Sequence, residues 1–142
     1  MTADILNDLA ARVEALEGAD RLLSLRIICA LDIRPAWLRN CTGHLWLDTV
    51  CPNPVVRWCD ERMKQSSGNP SVEDGPEFTA STDAAMSLVP EGAWWWVEAQ
   101  PLVKGRFLAG CADERISTAA TPALALTAAC LRAIAEMGKD NG

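Results

Sequence analysis

A chain of 142 residues, 49% hydrophobic and 23% charged, holds enough apolar material for one domain with a sizeable core, and nothing in its composition marks disorder, collagen or low complexity. A net charge of −6 speaks against nonspecific nucleic-acid binding, which needs a basic surface to release counterions from phosphates; the acidic residues, dispersed from Asp4 to Asp140, form no run that imitates a phosphate backbone. No apolar run approaches the roughly twenty residues that cross a bilayer, and no basic-apolar signal opens the chain, so the expected location is the cytoplasm, with no membrane partner and the six cysteines reduced.

Leu6, Leu9, Val13 and Leu16 recur at three- and four-residue steps and predict an amphipathic helix from Ala3 to Glu17, ended by Gly18. Asp20 can cap a second helix whose apolar face is Leu22, Leu23, Ile27, Ile28 and Leu31, before Pro35 interrupts. The two form one layer or one kinked element. His44 to Val50 and Val55 to Cys59 read as strands joined by Cys51-Pro52-Asn53-Pro54, a turn that a strand interior would not tolerate. Residues 60–77 lose their apolar residues and gather Ser, Gly, Asn, Pro and charge, the composition of a surface loop within the domain.

Ser81 or Thr82 can cap a short third helix with Asp83 in its first turn. Pro90 cannot continue it and pushes Val89 out of helical geometry. After Gly92 the run Ala93 to Ala99 is a strand carrying Trp94, Trp95 and Trp96. Strand side chains alternate, so Trp94 and Trp96 share one face while Trp95 and Val97 take the other. With both faces apolar, helices are expected above and below the sheet. The tryptophans read first as core packing, and alternatively as one accessible ring that stacks on a base or anchors a protein partner.

A turn at Gln100-Pro101 and Lys104-Gly105 leads to a returning strand, Arg106 to Ala112, and a polar break at Asp113-Glu114-Arg115. Thr121 as cap and Pro122 at the first position open a last helix, with Leu124, Leu131 and Ile134 along one stripe and small Ala125, Ala128, Ala129 and Ala135 around them. Gly138 sits where a helix commonly ends, leaving 139–142 as a disordered tail. The expected architecture is a single α+β domain over 1–142: an antiparallel sheet of about four strands sandwiched between helices, in the order α-α-β-β-α-β-β-α.

The run Thr79-x-Ser81-x-Asp83-Ala84-Ala85-x-x-Leu88-Val89-Pro90-Glu91-Gly92 followed by tryptophans, and Ala120-Thr121-Pro122-Ala123-Leu124-Ala125-Leu126 continuing to Ala133, resemble the small phage and prophage proteins grouped as the phage ABA sandwich domain. More distantly the layout is similar to the NinX proteins of lambdoid phages. The resemblance covers the two ends and the centre of the chain and departs over 35–77. It implies a sheet between helices and transfers no catalytic residue.

Candidate chemistry is sparse. Cys41, His44, Cys51 and Cys59 supply thiolate and imidazole donors of the kind zinc takes, in a C-x2-H-x6-C-x7-C arrangement. Structural zinc sites pair two close couples, and only Cys41 and His44 are close, so scattered reduced thiols with no metal are expected. His44 is the sole histidine, and no local signature gives a Cys/His nucleophile an oxyanion hole or an orienting carboxylate. Neither a Walker-type nor a dinucleotide phosphate motif is present. Lys104 and Arg106 place cations on the turn beside the tryptophan strand, where a nucleotide would find charge and stacking together, unless that turn is simply solvated. The expected function is therefore nonenzymatic and cofactor-free: a phage or prophage accessory protein that binds a host, phage or defence protein, with a counter-defence role. Its apolar patch would centre on Trp37, Trp46, Trp58 or a ring of the 94–96 run. The alternative is a small-molecule or nucleotide-sequestering protein with a tryptophan-lined pocket. The oligomeric state stays open.

Overall fold

Thr121 and Pro122 start the longest element of the chain as their chemistry requires: the Thr121 hydroxyl accepts the Leu124 N–H at 3.1 Å and Pro122 occupies the first helical position, where a missing N–H costs nothing. The computed structural model describes residues 2–50, 53–72, 75–112 and 115–140. Its elements are α1 (Thr2–Glu14), α2 (Arg21–Leu31), a 3-10 turn (Ala36–Leu38), β1 (His44–Asp48), β2 (Val55–Cys59), β3 (Ser71–Val72), α3 (Thr82–Met86), β4 (Trp95–Ala99), β5 (Phe107–Cys111), β6 (Ser117–Ala119) and α4 (Pro122–Asp140). The class is α+β. The chain divides into two compact units, one of residues 1–23 with 77–142 and one of residues 24–76.

In the first unit α4 is the centre. Ala123 through Leu131 are buried without interruption, because α4 meets α1, α3 and the β4-β5-β6 sheet. Leu6, Leu9, Ala10 and Val13 form the buried stripe of α1; side chains at these steps share one helix face. Small Ala125, Ala128 and Ala129, all fully buried, let backbones approach closely. Two polar ties close the unit. The Thr127 hydroxyl donates to the Phe78 carbonyl at 2.9 Å inside the core, and Asp20 and Thr79 bond reciprocally at 2.9 and 3.0 Å. Arg132 bonds Glu14 across α4 and α1. Ser81 caps α3, accepting the Ala84 N–H at 3.2 Å.

The sheet of this unit is antiparallel, ordered β4-β5-β6. Its register pairs Trp95 with Cys111, Trp96 with Gly110 and Val97 with Ala109, and then Phe107 with Ala119 and Ala109 with Ser117. Ala109, Cys111, Ser117 and Ala119 are buried on the face that α4 covers. The opposite face holds Trp96, Glu98, Leu108, Gly110 and Thr118, and no helix of this unit lies on it.

The second unit is built on the antiparallel sheet β1-β2-β3. The expected hairpin forms, with His44 opposite Cys59 and Asp48 opposite Val55. Arg57 bonds the buried Asp48 carboxylate at 2.7 Å and the Asn69 carbonyl at 2.7 Å. Gly43 has φ +113, and a Cβ there would stand 2.3 Å from the Cys59 carbonyl, so the strand entry needs glycine. Within 60–77 the chain makes β3, whose Val72 pairs with Val56, and buries Asn69, whose side-chain oxygen accepts from Trp46 Nε1 at 3.1 Å and the Ser66 N–H at 2.9 Å.

Several expectations are corrected. One sheet of about four strands becomes two sheets of three strands, because β3 and β6 are too short to show periodicity and exist only by pairing with β2 and β5. Within the first unit, helices above and below the tryptophan strand become helices on one side. An indole can close its own face: the Trp96 ring packs against Gly110, where an added Cβ would meet Nε1 at 2.4 Å. Gly138 does not end α4, which reaches Asp140; the remainder of the expected 139–142 tail lies outside the described residues.

Candidate functional site

Strand β4 lies at the edge of its sheet. Two bonds fix how its backbone faces: the Ala112 N–H donates to the Trp94 carbonyl and the Gln100 N–H to the Arg106 carbonyl, both at 2.9 Å. Residues 94, 96, 98 and 100 therefore turn their peptide groups toward β5, and the alternation of an antiparallel ladder turns those of Trp95, Val97 and Ala99 outward.

The tryptophans differ in exposure. Trp94 is 52% and Trp95 39% exposed, whereas Trp96 is half-buried over Gly110. Exposed Glu98 shares the face of Trp96. Trp94 and Trp95 are more open than core indoles would be; Trp94 immediately precedes β4 and Trp95 is its first residue.

Lys104 and Arg106 are not brought to these rings. Arg106 stands opposite Gln100 at the far end of the hairpin, six residues from Trp94, or roughly 20 Å at the rise of a strand. Lys104 is exposed in the intervening turn beside Leu102 and Val103, also exposed. Trp96, on the same sheet face as Arg106, is nearer, four residues from Gln100 or roughly 13 Å along the strand.

The other tryptophans belong to the second unit. Trp37 is 57% exposed; Trp46 and Trp58 are half-buried, with Trp46 bonded to Asn69. A cavity of about 190 Å³ opens there, lined among others by Ile28, Ile33, Val56 and Val72. The Arg34 guanidinium beside it already bonds Asp32 at 2.9 Å and the carbonyls of Cys41 and Gly43 at 2.6 and 2.7 Å. The cavity presents apolar walls, and Arg34 is committed elsewhere.

The zinc candidates are individually engaged. Exposed Cys41 contacts the Trp37 carbonyl at 3.6 Å, and His44 Nε2 meets Gln65 Nε2 at 2.9 Å. Buried Cys59 donates to the Met63 carbonyl at 3.1 Å, and Cys51 lies outside the described residues. Among the described residues no three His, Cys, Asp or Glu side chains group as a metal requires. His44, paired in register with Cys59, bonds an amide and not a thiol.

Of the remaining thiols, Cys111 and Cys130 are buried and Cys29 is half-buried. Burial pushes the Cys29 thiol up to about 11. Cys130 hydrogen-bonds Cys111, and that bond together with burial holds Cys130 well above the usual thiol range. Thiols held protonated in this way are poor nucleophiles. No helix among the described residues is long and apolar enough to cross a membrane.

Sequence reasoning located the three tryptophans but not the glycine that receives one of them. Gly110 sits in a strand interior, and a glycine there is the signal that another group approaches closely. Comparison with family models, with curated proteins and with solved structures returned no match for this chain.

Proposed function

We propose that this protein is a nonenzymatic accessory protein, phage- or prophage-borne, that acts in the host cytoplasm by binding a host or defence protein through the surface around Trp94 and Trp95. The observation that carries the reading is the exposure of two indoles consecutive in the chain at the start of an edge strand, Trp94 at 52% immediately before β4 and Trp95 at 39% in its first position. Exposed tryptophan is the residue most enriched at binding hot spots, because it brings a large rigid area at little conformational cost. The phage attribution rests on the likeness of 79–96 and 120–133 to the phage ABA sandwich domain. The net charge of −6 favours a partner with a basic rim around an apolar centre.

The test is capture from bacterial lysate by the immobilised protein, followed by measured affinity for the purified partner. Replacing Trp94 and Trp95 together with alanine should weaken binding by roughly 30-fold or more, the loss of about 2 kcal/mol that defines a hot spot. Trp37→Ala serves as the comparison and should leave affinity within about threefold. Equal binding by wild type and the double variant contradicts the proposal.

The nucleotide-sequestering alternative has less support, since the exposed rings of Trp94 and Trp95 stand at the opposite end of the hairpin from Arg106. It predicts quenched tryptophan fluorescence and a raised Tm across a nucleotide panel. No response removes it.

A further inference from the structure

The outward edge of β4 has the chemistry of a strand that pairs with a copy of itself. Within its unit β4 contacts only β5 and α4 among the described elements, so its outer row of peptide groups meets no strand. Proteins commonly blunt such an edge with Lys, Pro or a bulge. Trp95–Ala99 contains neither Lys nor Pro, and its register with β5 runs residue for residue without a bulge.

We propose that β4 is a dimerisation strand, two copies pairing antiparallel about Val97 so that their sheets join edge to edge. This register satisfies the outward phase and pairs the strand over its whole length. Centring on Val97 sets Trp95 against the copy's Ala99, Val97 against Val97 and Ala99 against Trp95, so every outward-facing residue meets another outward-facing residue. Centring on Trp96 instead leaves Ala99 without a partner and sets Trp95 against Val97.

Side-chain size agrees with the choice. Exposed Trp95 is large and exposed Ala99 is small, so each indole finds room over the alanine of the other copy. On the opposite face Trp96 would lie against Glu98. The two Glu98 carboxylates fall on the diagonal, roughly 7–8 Å apart, a weak repulsion that salt screens.

The same-sequence occupant is favoured because the arrangement is isologous: each strand supplies the donors, acceptors and gap that the other lacks, and the pairing closes at two copies. Two edge strands and their partly exposed indoles bury roughly 1,000 Å², below the range of tight complexes. The dimer is therefore weak and concentration-dependent.

The inference stands on backbone phase and does not depend on the partner proposed above. Sedimentation velocity over roughly two decades of concentration tests it, with wild type expected to pass from monomer to dimer and to do so more readily at higher salt. Ala99→Lys, at an exposed position, should weaken dimerisation by roughly tenfold or more. Val97→Pro, which deletes an outward N–H and leaves the bonds to β5 in place, should do the same; circular dichroism confirms that each variant folds. Slower hydrogen exchange at the Val97 and Ala99 amides as concentration rises locates the contact. Wild type that stays monomeric throughout, or an Ala99→Lys variant that dimerises undiminished, overturns the proposal, as does capture of a foreign strand on β4 without self-association. Partner capture by monomeric Ala99→Lys reads the earlier proposal by itself.

Discussion

At Gly110 one missing side chain decides how a large one is stored. The Trp96 ring occupies the space a Cβ would take, 2.4 Å from Nε1 and 2.7 Å from Cε2. Gly110→Ala must lift the ring, since contacts that short do not persist, and overpacking of this kind costs about 1–3 kcal/mol. The variant should unfold at lower urea and show red-shifted tryptophan emission as Trp96 meets water. Unchanged emission with unchanged stability would show that Trp96 does not rest there. Trp94 and Trp95 have no such seat, which is why the same residue type in three consecutive positions has three environments. Alternation of faces was legible in the sequence; what each face meets was not, because it depends on a residue fourteen positions away.

The elements divide by how local their causes are. Capping is short-range chemistry, so Thr121 with Pro122 could be placed from sequence, and the α3 cap narrowed to Ser81 or Thr82, of which Ser81 is the cap. The pairing of β1 with β2 was also legible, while part of the expected 51–54 turn lies outside the described residues. β3 and β6 carry no periodic signal, and their neighbours create them. The hairpin also contains a pH-dependent tie. The Arg57 hydrogen bond, with a second from the Val50 N–H, holds the Asp48 carboxyl below the usual carboxylate range. A carboxylate whose folded pKa is depressed contributes stability that is fully present above its unfolded pKa of about 3.9 and is lost as pH falls through the folded value. Tm should therefore fall below about pH 4, and Asp48→Asn should lower Tm at neutral pH while flattening that acid limb. An acid limb of the same steepness in the variant would assign it to other groups.

At the scale of the whole molecule, two three-stranded sheets stand where one larger sheet was expected. The α+β class was legible from apolar stripes; that α4, and not the tryptophan strand, is the centre of the first unit was not. The division into two units was not, since the chain crosses it within α2, whose apolar face runs on without interruption. Both functional proposals share one premise, that β4 is an open edge whose peptide groups alternate between β5 and solvent. Residue-resolved amide exchange on dilute protein tests it directly. Trp96 and Glu98, turned toward β5, should exchange slowly, and Trp95, Val97 and Ala99 should exchange orders of magnitude faster. Uniform protection from 95 to 99 would mean that the edge is already covered, and would contradict the account.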